Sequence, residues 1–190
     1  KILKLKKQFG QTAALQAGID SSKGKIIITM DGDLQNDPKD IPALIEVLNK
    51  GYDVVTGWRF KRKDTFSKRF ISRLANVFRK LILNDPINDS GCSLKAYRRE
   101  CFQDFSLFGE SHRFIPAILS MNGYRVKEIK VNHRSRKYGK TKYNYTRTYR
   151  GLLDMMLIRF WTNFSTRPLH LFGAIGLLFG SIGFGLGLYL

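Results

Sequence analysis

The spacing of apolar residues changes repeatedly along this chain, and each change marks an element. Residues 11–19 carry Ala13, Ala14, Leu15 and Ala17, good helix formers that predict a short helix. Residues 25–30 hold Ile26-Ile27-Ile28-Thr29, a β-branched apolar run typical of a buried strand. The pattern then breaks into a polar loop over 31–37. Pro38 suits a first helical turn, and Ile41, Leu44, Ile45 and Leu48 form a helical stripe that stops at Gly51. Residues 52–58 read as a second strand and 66–83 as a basic amphipathic helix. Residues 93–97 read as a strand, 113–121 as a helix, and 124–131 as a strand of alternating character. Strands that alternate with helices predict an α/β domain around a largely parallel sheet. There is no internal repeat and no low-complexity linker.

Beyond residue 145 the pattern changes again. Between 149 and 164, Leu152, Leu153, Met156, Leu157, Phe160 and Trp161 are mixed with Arg150 and Arg159. That mixture fits a helix lying in a membrane interface, and a core helix of the soluble domain is the plain alternative. Arg167 is the last charged residue, and residues 169–190 carry no charge at all. A helix of that length rises about 33 Å, enough to cross a hydrocarbon core of roughly 30 Å. A buried core helix is the alternative here, and distance from the N-terminus argues against a cleaved signal peptide. Gly176 and Gly180, then Gly183 and Gly187, form two pairs that permit close helix packing, against a second span or another subunit.

Charge sharpens this picture. The chain has 33 Lys and Arg against 15 Asp and Glu, a formal net charge of +18. Such an excess implies an anionic partner: acidic lipid, phosphorylated small molecule or nucleic acid. Because every charge precedes the apolar tail, the positive-inside tendency puts the basic part on the cytoplasmic side of a cell membrane. Cys92 and Cys101 are too few for a disulfide framework, and a cytoplasmic setting keeps them reduced. Three scattered histidines, His112, His133 and His170, make no zinc-type cluster.

The chemistry concentrates where the first strand ends. Asp31 and Asp33, one residue apart, can share a hard divalent cation that also binds phosphate oxygens. In open α/β sheets, ligands sit beyond the carboxyl ends of strands, which is where these carboxylates fall. An EF-hand fails: with Asp31 as position 1, the required Gly at position 6 is Asn36 and the Glu at position 12 is Pro42. No Gly-x4-Gly-Lys-Ser/Thr phosphate loop occurs either.

The longer string Asp31-Gly32-Asp33-Leu34-Gln35-Asn36-Asp37-Pro38 resembles the metal-binding motif of family 2 glycosyltransferases, in the branch of dolichol-phosphate mannose synthases and bactoprenol glucosyltransferases. Further segments agree in order. Phe9-Gly10 through Gly18 resembles the family's helix before the metal strand. Gly57-Trp58-Arg59 resembles its Gly-Ser/Thr-Arg segment, with Trp58 departing from the usual hydroxyl residue. Asp89-Ser90-Gly91-Cys92, then Leu94-Lys95 and Tyr97-Arg98, resembles its acceptor loop and following strand. Arg136, Gly139, Thr141 and Lys142 fit its Arg-x-x-Gly-x-Ser/Thr-Lys pattern. The likeness covers about residues 8–165.

The resemblance implies a GT-A-like, Rossmann-related domain with a mostly parallel sheet over 1–145. An interfacial amphipathic helix over 146–166 and a transmembrane helix over 167–190 would follow. It implies inverting, Mg²⁺- or Mn²⁺-dependent transfer of a sugar from a UDP- or GDP-linked donor to a polyprenyl phosphate. Asp31, Asp33 and Gln35 would surround the metal and the donor diphosphate. Arg59, with Lys68 or Arg69 and Ser72, would receive the acceptor phosphate, and Arg136 and Lys142 would close over phosphates from a loop. Asp89 would orient or assist the acceptor; a plain turn residue in Asn88-Asp89-Ser90-Gly91 is the alternative. The family opens with a strand and loop that grip the nucleotide base, and nothing like it precedes Lys1, so an N-terminally truncated domain is expected.

Two other readings compete. A processive polysaccharide synthase would carry Gln-x-x-Arg-Trp, whereas the nearest string here, Arg159-Phe160-Trp161, has an extra residue. A non-enzymatic basic protein for acidic lipid or nucleic acid would use Lys61-Arg62-Lys63 and Arg134-Ser135-Arg136-Lys137 with Tyr138, Tyr143 and Tyr145. It leaves the strand-ending Asp31 and Asp33 without a purpose, so the expectation is an enzyme without a nucleic-acid partner.

Overall fold

The computed structural model describes residues 2–60, 77, 79–103, 106–134 and 146–190. The described strands are β1 (Ile26–Thr29), β2 (Val54–Trp58), β3 (Lys95–Arg98) and β4 (Val126–Lys130). The described helices are α1 (Gln11–Ser21), α2 (Ile41–Asn49), α3 (Ile115–Met121), α4 (Thr146–Phe164) and α5 (Pro168–Tyr189). The expected basic helix over 66–83 falls largely outside the described residues, and its last turn, 79–83, is helical.

The four strands form one sheet in the order β1-β3-β2-β4. β2 and β4 are parallel, with Val54 opposite Val126 and Trp58 opposite Lys130. β3 is antiparallel to both β1 and β2, with Thr29 and Thr56 each opposite Lys95. The expectation of a mostly parallel sheet is therefore corrected in its pairings. β1, β2 and β4 run the same way, but reversed β3 is inserted between β1 and β2. Period-two burial is the same for either direction, so the apolar pattern could not reveal the reversal.

The alternation is clear on the neighbouring pairs Val54-Val55 and Ala96-Tyr97. Val55 and Ala96 face Leu44 and Leu48 of α2, together with Leu94, Cys92 and Val131. Val54 and Tyr97 face the other way, against Ile115 and Leu119 of α3 and Cys101. Both faces of the sheet are thus covered, and each fully buried leucine contributes on the order of 2 kcal/mol. Cys92 and Cys101 are both free thiols within this core.

Local chemistry explains the element ends. Asp37 caps the 3-10 turn Pro38–Asp40 by accepting from Lys39 N at 3.2 Å, and α2 follows directly. The expected helix over 113–121 is split into a 3-10 turn, Ser111–Arg113, and α3, because Pro116 fits only a first turn. α3 ends at Gly123, whose φ of 89° allows Tyr124 N to reach back to Leu119 O at 3.0 Å, closing a Schellman motif.

α4 serves two surfaces. Met155 and Ile158 are buried with Leu83, Phe114, Ala117 and Ile118, fastening the helix to α3. The opposite side shows Leu153, Met156 and Leu157 to the exterior, with Trp161 62% exposed. Phe160 of α4 meets Phe172 of α5 at a ring separation of 5.7 Å. α5 is 22 residues long, long and apolar enough to cross a membrane, and none of its residues is buried.

Candidate active site

β1 ends where three polar contacts converge on Ser93, two residues before β3. Thr29 Oγ1 donates to Ser93 O at 2.9 Å, while Asp31 N and Asn36 Nδ2 both donate to Ser93 Oγ, at 3.2 and 2.8 Å. One serine therefore pins both ends of the 31–36 loop. Inside it, Leu34 adopts φ 63°, a left-handed conformation that costs a non-glycine residue about 1–2 kcal/mol. That turn brings Gln35 N back to Asp33 Oδ1 at 3.1 Å. The Leu34 side chain is exposed, so the strain serves the loop's shape rather than packing.

The loop is also tied to its surroundings. Gln11 at the start of α1 donates to Asp31 Oδ1 at 3.0 Å. Gln35 O accepts from Arg134 N at 2.8 Å, and Gln35 Nε2 donates to Arg134 O at 3.4 Å. Asn36 bridges His133, and Arg134 pairs with Asp37. The N–H of Lys39 first, then Arg134, hold the Asp37 carboxyl below the usual carboxylate range. Gln35, expected beside the metal, thus has its amide on the segment that follows β4.

Among the described residues, no three His, Cys, Asp or Glu side chains converge as a metal cage. Asp31 and Asp33, both partly buried at the strand end, offer two hard oxygen donors. That set fits a magnesium-type ion, which takes one or two carboxylates and completes its sphere with water and substrate phosphates.

The second cluster stands at the same end of the sheet, beyond the carboxyl end of β2. Arg59 grips Asp89 through a two-pronged fork, Nε to Oδ2 at 2.7 Å and Nη2 to Oδ1 at 2.8 Å, and its backbone N adds a third bond at 3.2 Å. The two side chains are only 14% and 13% exposed, so the fork is sheltered from water. Gly91 lies under it: a Cβ there would sit 2.9 Å from Arg59 Nη2. Gly57 is equally constrained, since a Cβ would meet Val131 Cγ2 at 2.8 Å and Cys92 Sγ at 3.0 Å. Below the same loop, Arg79 pairs with Asp85 at 2.8 Å, both nearly inaccessible, and Arg79 Nη2 donates to Ile87 O at 2.7 Å.

Lys95 is the least expected charge in the molecule. Its residue is 3% exposed, and its Nζ reaches Ser90 O at 3.4 Å. Burial drives its pKa down from 10.5 to about 8, against the pull of Asp89 and Asp85. At pH 7 the amine is charged in folded and unfolded chains alike, so the full burial cost is present. Between pH 8 and 10.5 the unfolded chain retains a proton that the folded one has shed, so stability rises with pH across that window. Lys95→Met is therefore expected to raise the melting temperature at pH 7, by no more than about 3 kcal/mol in stability, and to lose that advantage above pH 10. A lowered melting temperature would mean that the ammonium's contacts outweigh its burial.

The sequence-derived candidates divide cleanly. Asp31, Asp33 and Gln35 share one loop, Arg59 and Asp89 share one ion pair, and both groups lie beyond the carboxyl ends of β1 and β2, at one end of the sheet. Lys68, Arg69, Ser72, Arg136 and Lys142 lie outside the described residues. Sequence reasoning missed Gln11, Ser93, Glu128 and Arg134. Each acts through a partner at least 20 positions away, so no local spacing announces it.

Comparison with known proteins agrees with this architecture. The sequence model described as glycosyl transferase family 2 matches residues 1–105. The dodecaprenyl-phosphate galacturonate synthase of Rhizobium johnstonii is 43% identical over 194 residues, covering 100% of this chain and 57% of that protein. The undecaprenyl-phosphate 4-deoxy-4-formamido-L-arabinose transferase of Aeromonas hydrophila is 34% identical over 180 residues, 95% of this chain and 54% of that one. The chain thus spans little more than half the length of the curated relatives it matches. Among solved structures, glucosyl-3-phosphoglycerate synthase from Mycobacterium tuberculosis, in complex with Mn²⁺ and UDP-glucose, superposes with a TM-score of 0.60 at 14% identity. That match covers 82% of this chain and 56% of the other, and it supports a GT-A-like fold. With more than half of its residues matched by the family model, on a fold of this kind, the chain belongs to glycosyl transferase family 2.

Proposed function

We propose that the chain is part of a membrane-anchored, metal-dependent, inverting glycosyltransferase that moves a sugar from a nucleotide donor to a polyprenyl phosphate. The observation that carries this reading is the pairing of two sites at one end of the sheet, beyond the carboxyl ends of β1 and β2. A two-carboxylate loop suited to a metal–diphosphate stands beside a sheltered Arg59–Asp89 fork suited to a phosphate. The exposed apolar side of α4 and the membrane-length α5 supply a reason for that phosphate to be a lipid's. The named acceptors of the two relatives, dodecaprenyl and undecaprenyl phosphate, support the same choice.

Asp31 and Asp33 would hold Mg²⁺ or Mn²⁺, and the ion would supply charge to offset that growing on the leaving nucleotide diphosphate. The Ser93 anchor and the Leu34 turn keep the two carboxylates in place. Arg59 receives the acceptor phosphate, with its plane fixed by Asp89 through Nε and Nη2. A phosphate monoester has a second pKa near 6, so its oxygen is already largely anionic at neutral pH. That oxygen attacks the anomeric carbon, the bond to the diphosphate breaks, and the configuration inverts. Asp89 accordingly orients the acceptor's binding partner and is not required to remove a proton. Lys68, Arg69, Ser72, Arg136 and Lys142 complete phosphate binding, and Gln35 borders the donor.

The basic domain faces the cytoplasm, since Arg167 precedes an uncharged span. The test is a screen of UDP- and GDP-sugars on the full-length protein with a short-chain polyprenyl phosphate and Mg²⁺ or Mn²⁺. One donor is expected to yield a polyprenyl-phosphate sugar, with the product lost on adding EDTA and restored by excess metal. Transfer that survives EDTA would overturn the metal assignment. Salt-sensitive RNA binding without affinity for any nucleotide sugar would overturn the enzyme reading itself.

A further inference from the structure

Glu128 stands in the middle of β4, opposite Thr56 of β2, in a strand whose other polar residues point to the exterior. Its carboxylate reaches over to the turn that begins the acceptor loop. Oε1 accepts from Asn88 N at 3.0 Å and from Asp89 N at 2.8 Å. Oε2 accepts from Asn88 N at 3.1 Å and from Asn88 Nδ2 at 2.7 Å. Two successive backbone N–H groups and one amide are thus gathered by a single side chain some 39 positions away.

This arrangement is more than a convenient tie. A hydroxyl or an amide oxygen could accept some of these bonds. A carboxylate, however, is the only side chain that accepts on both oxygens at once. Gln would turn an amide donor toward Asn88, whose own groups here are donors. Fixing the N–H of Asp89 fixes its backbone, and its carboxylate in turn sets the plane of the Arg59 guanidinium through the two-pronged fork. We propose that Glu128 is a positioning residue, which aims Arg59 at the acceptor phosphate by clamping the Asn88–Asp89 turn. The inference rests on reading Arg59 and Asp89 as the acceptor site.

The test uses the full-length protein in detergent with a short-chain polyprenyl phosphate and its preferred nucleotide sugar. Glu128→Gln is expected to lower kcat/KM for the lipid acceptor by about 10- to 100-fold, the usual effect of losing a group that orients a ligand. Nucleotide-sugar affinity should stay within about twofold of wild type by the same reasoning, because the 31–36 loop is untouched. Glu128→Asp should recover part of the loss. Hydrogen exchange at the 88 and 89 amides should quicken in Glu128→Gln. In an Asp89→Asn background the further effect of Glu128→Gln should shrink to less than about threefold, because both changes then act on one unit. Equal effects in both backgrounds, or a parallel fall in donor affinity, would make Glu128 a general structural residue and overturn the proposal. Failure of the wild type to transfer to any polyprenyl phosphate would remove the functional reading, and the acceptor role of Glu128 with it. Transfer by the wild type without coupling between the two residues would remove only the role of Glu128.

Discussion

Asp33→Ala is expected to reduce sugar transfer by about 10³-fold or more while leaving the fold intact. A metal-held diphosphate owes several kcal/mol of transition-state stabilisation to its ion, and about 4 kcal/mol corresponds to that factor. Asp33 has a second job, accepting from Gln35 N at 3.1 Å, so alanine also costs about 1 kcal/mol of loop stability. Asp33→Asn separates the two effects. Its amide oxygen can still accept from Gln35 N and preserve the Leu34 turn, but its charge is gone. Both variants should therefore be nearly inactive, and only the alanine variant should melt earlier. Parallel transfer assays and thermal melts by circular dichroism decide the matter. Near-normal turnover in either variant removes Asp33 from the metal site.

Arg59→Ala should raise the apparent KM for the polyprenyl phosphate by about 10- to 100-fold, with donor affinity little changed. The side chain offers a planar fork, and Asp89 engages two of its donors at 2.7 and 2.8 Å. Arg59→Lys should not rescue the variant, because an ammonium is a point charge and cannot hold one carboxylate and one phosphate in a common plane. A stability loss of about 1–3 kcal/mol should accompany both changes, since the Asp89 carboxylate stays sheltered while losing those two donors. Titrating lipid acceptor at saturating donor gives the KM, and a melt gives the stability. An acceptor response identical to wild type would take Arg59 out of the site.

Much of this site was legible from residues 26–38 alone. Ile26-Ile27-Ile28-Thr29 reads as a buried strand, and β1 forms there. Asp31 and Asp33 fall beyond its end, and α2 begins soon after Pro38. Such features depend on local preferences, which neighbours in sequence carry. The reversed direction of β3 was not legible, because Lys95-Ala96-Tyr97-Arg98 buries the same side chains whichever way it runs. α4 showed the difficulty in another form. Its apolar residues suggested either an interfacial helix or a core helix, and in the structure one side of it is packed while another is open. Met155 and Ile158 pack on α3, and Leu153, Met156 and Leu157 face outward.

The sequence by itself determined the strand–helix alternation, the paired carboxylates beyond β1, the excess of positive charge and the uncharged apolar tail. All of these are set by composition or by spacing within a few residues. Tertiary structure decided which distant groups share one end of the sheet. Ser93 pins the 31–36 loop, Glu128 clamps the Asn88–Asp89 turn, and Asp89 holds Arg59 across 30 positions of chain. The physical reason is that a hydrogen bond or ion pair needs two groups within about 3 Å, and strand order and direction, not sequence distance, bring them there.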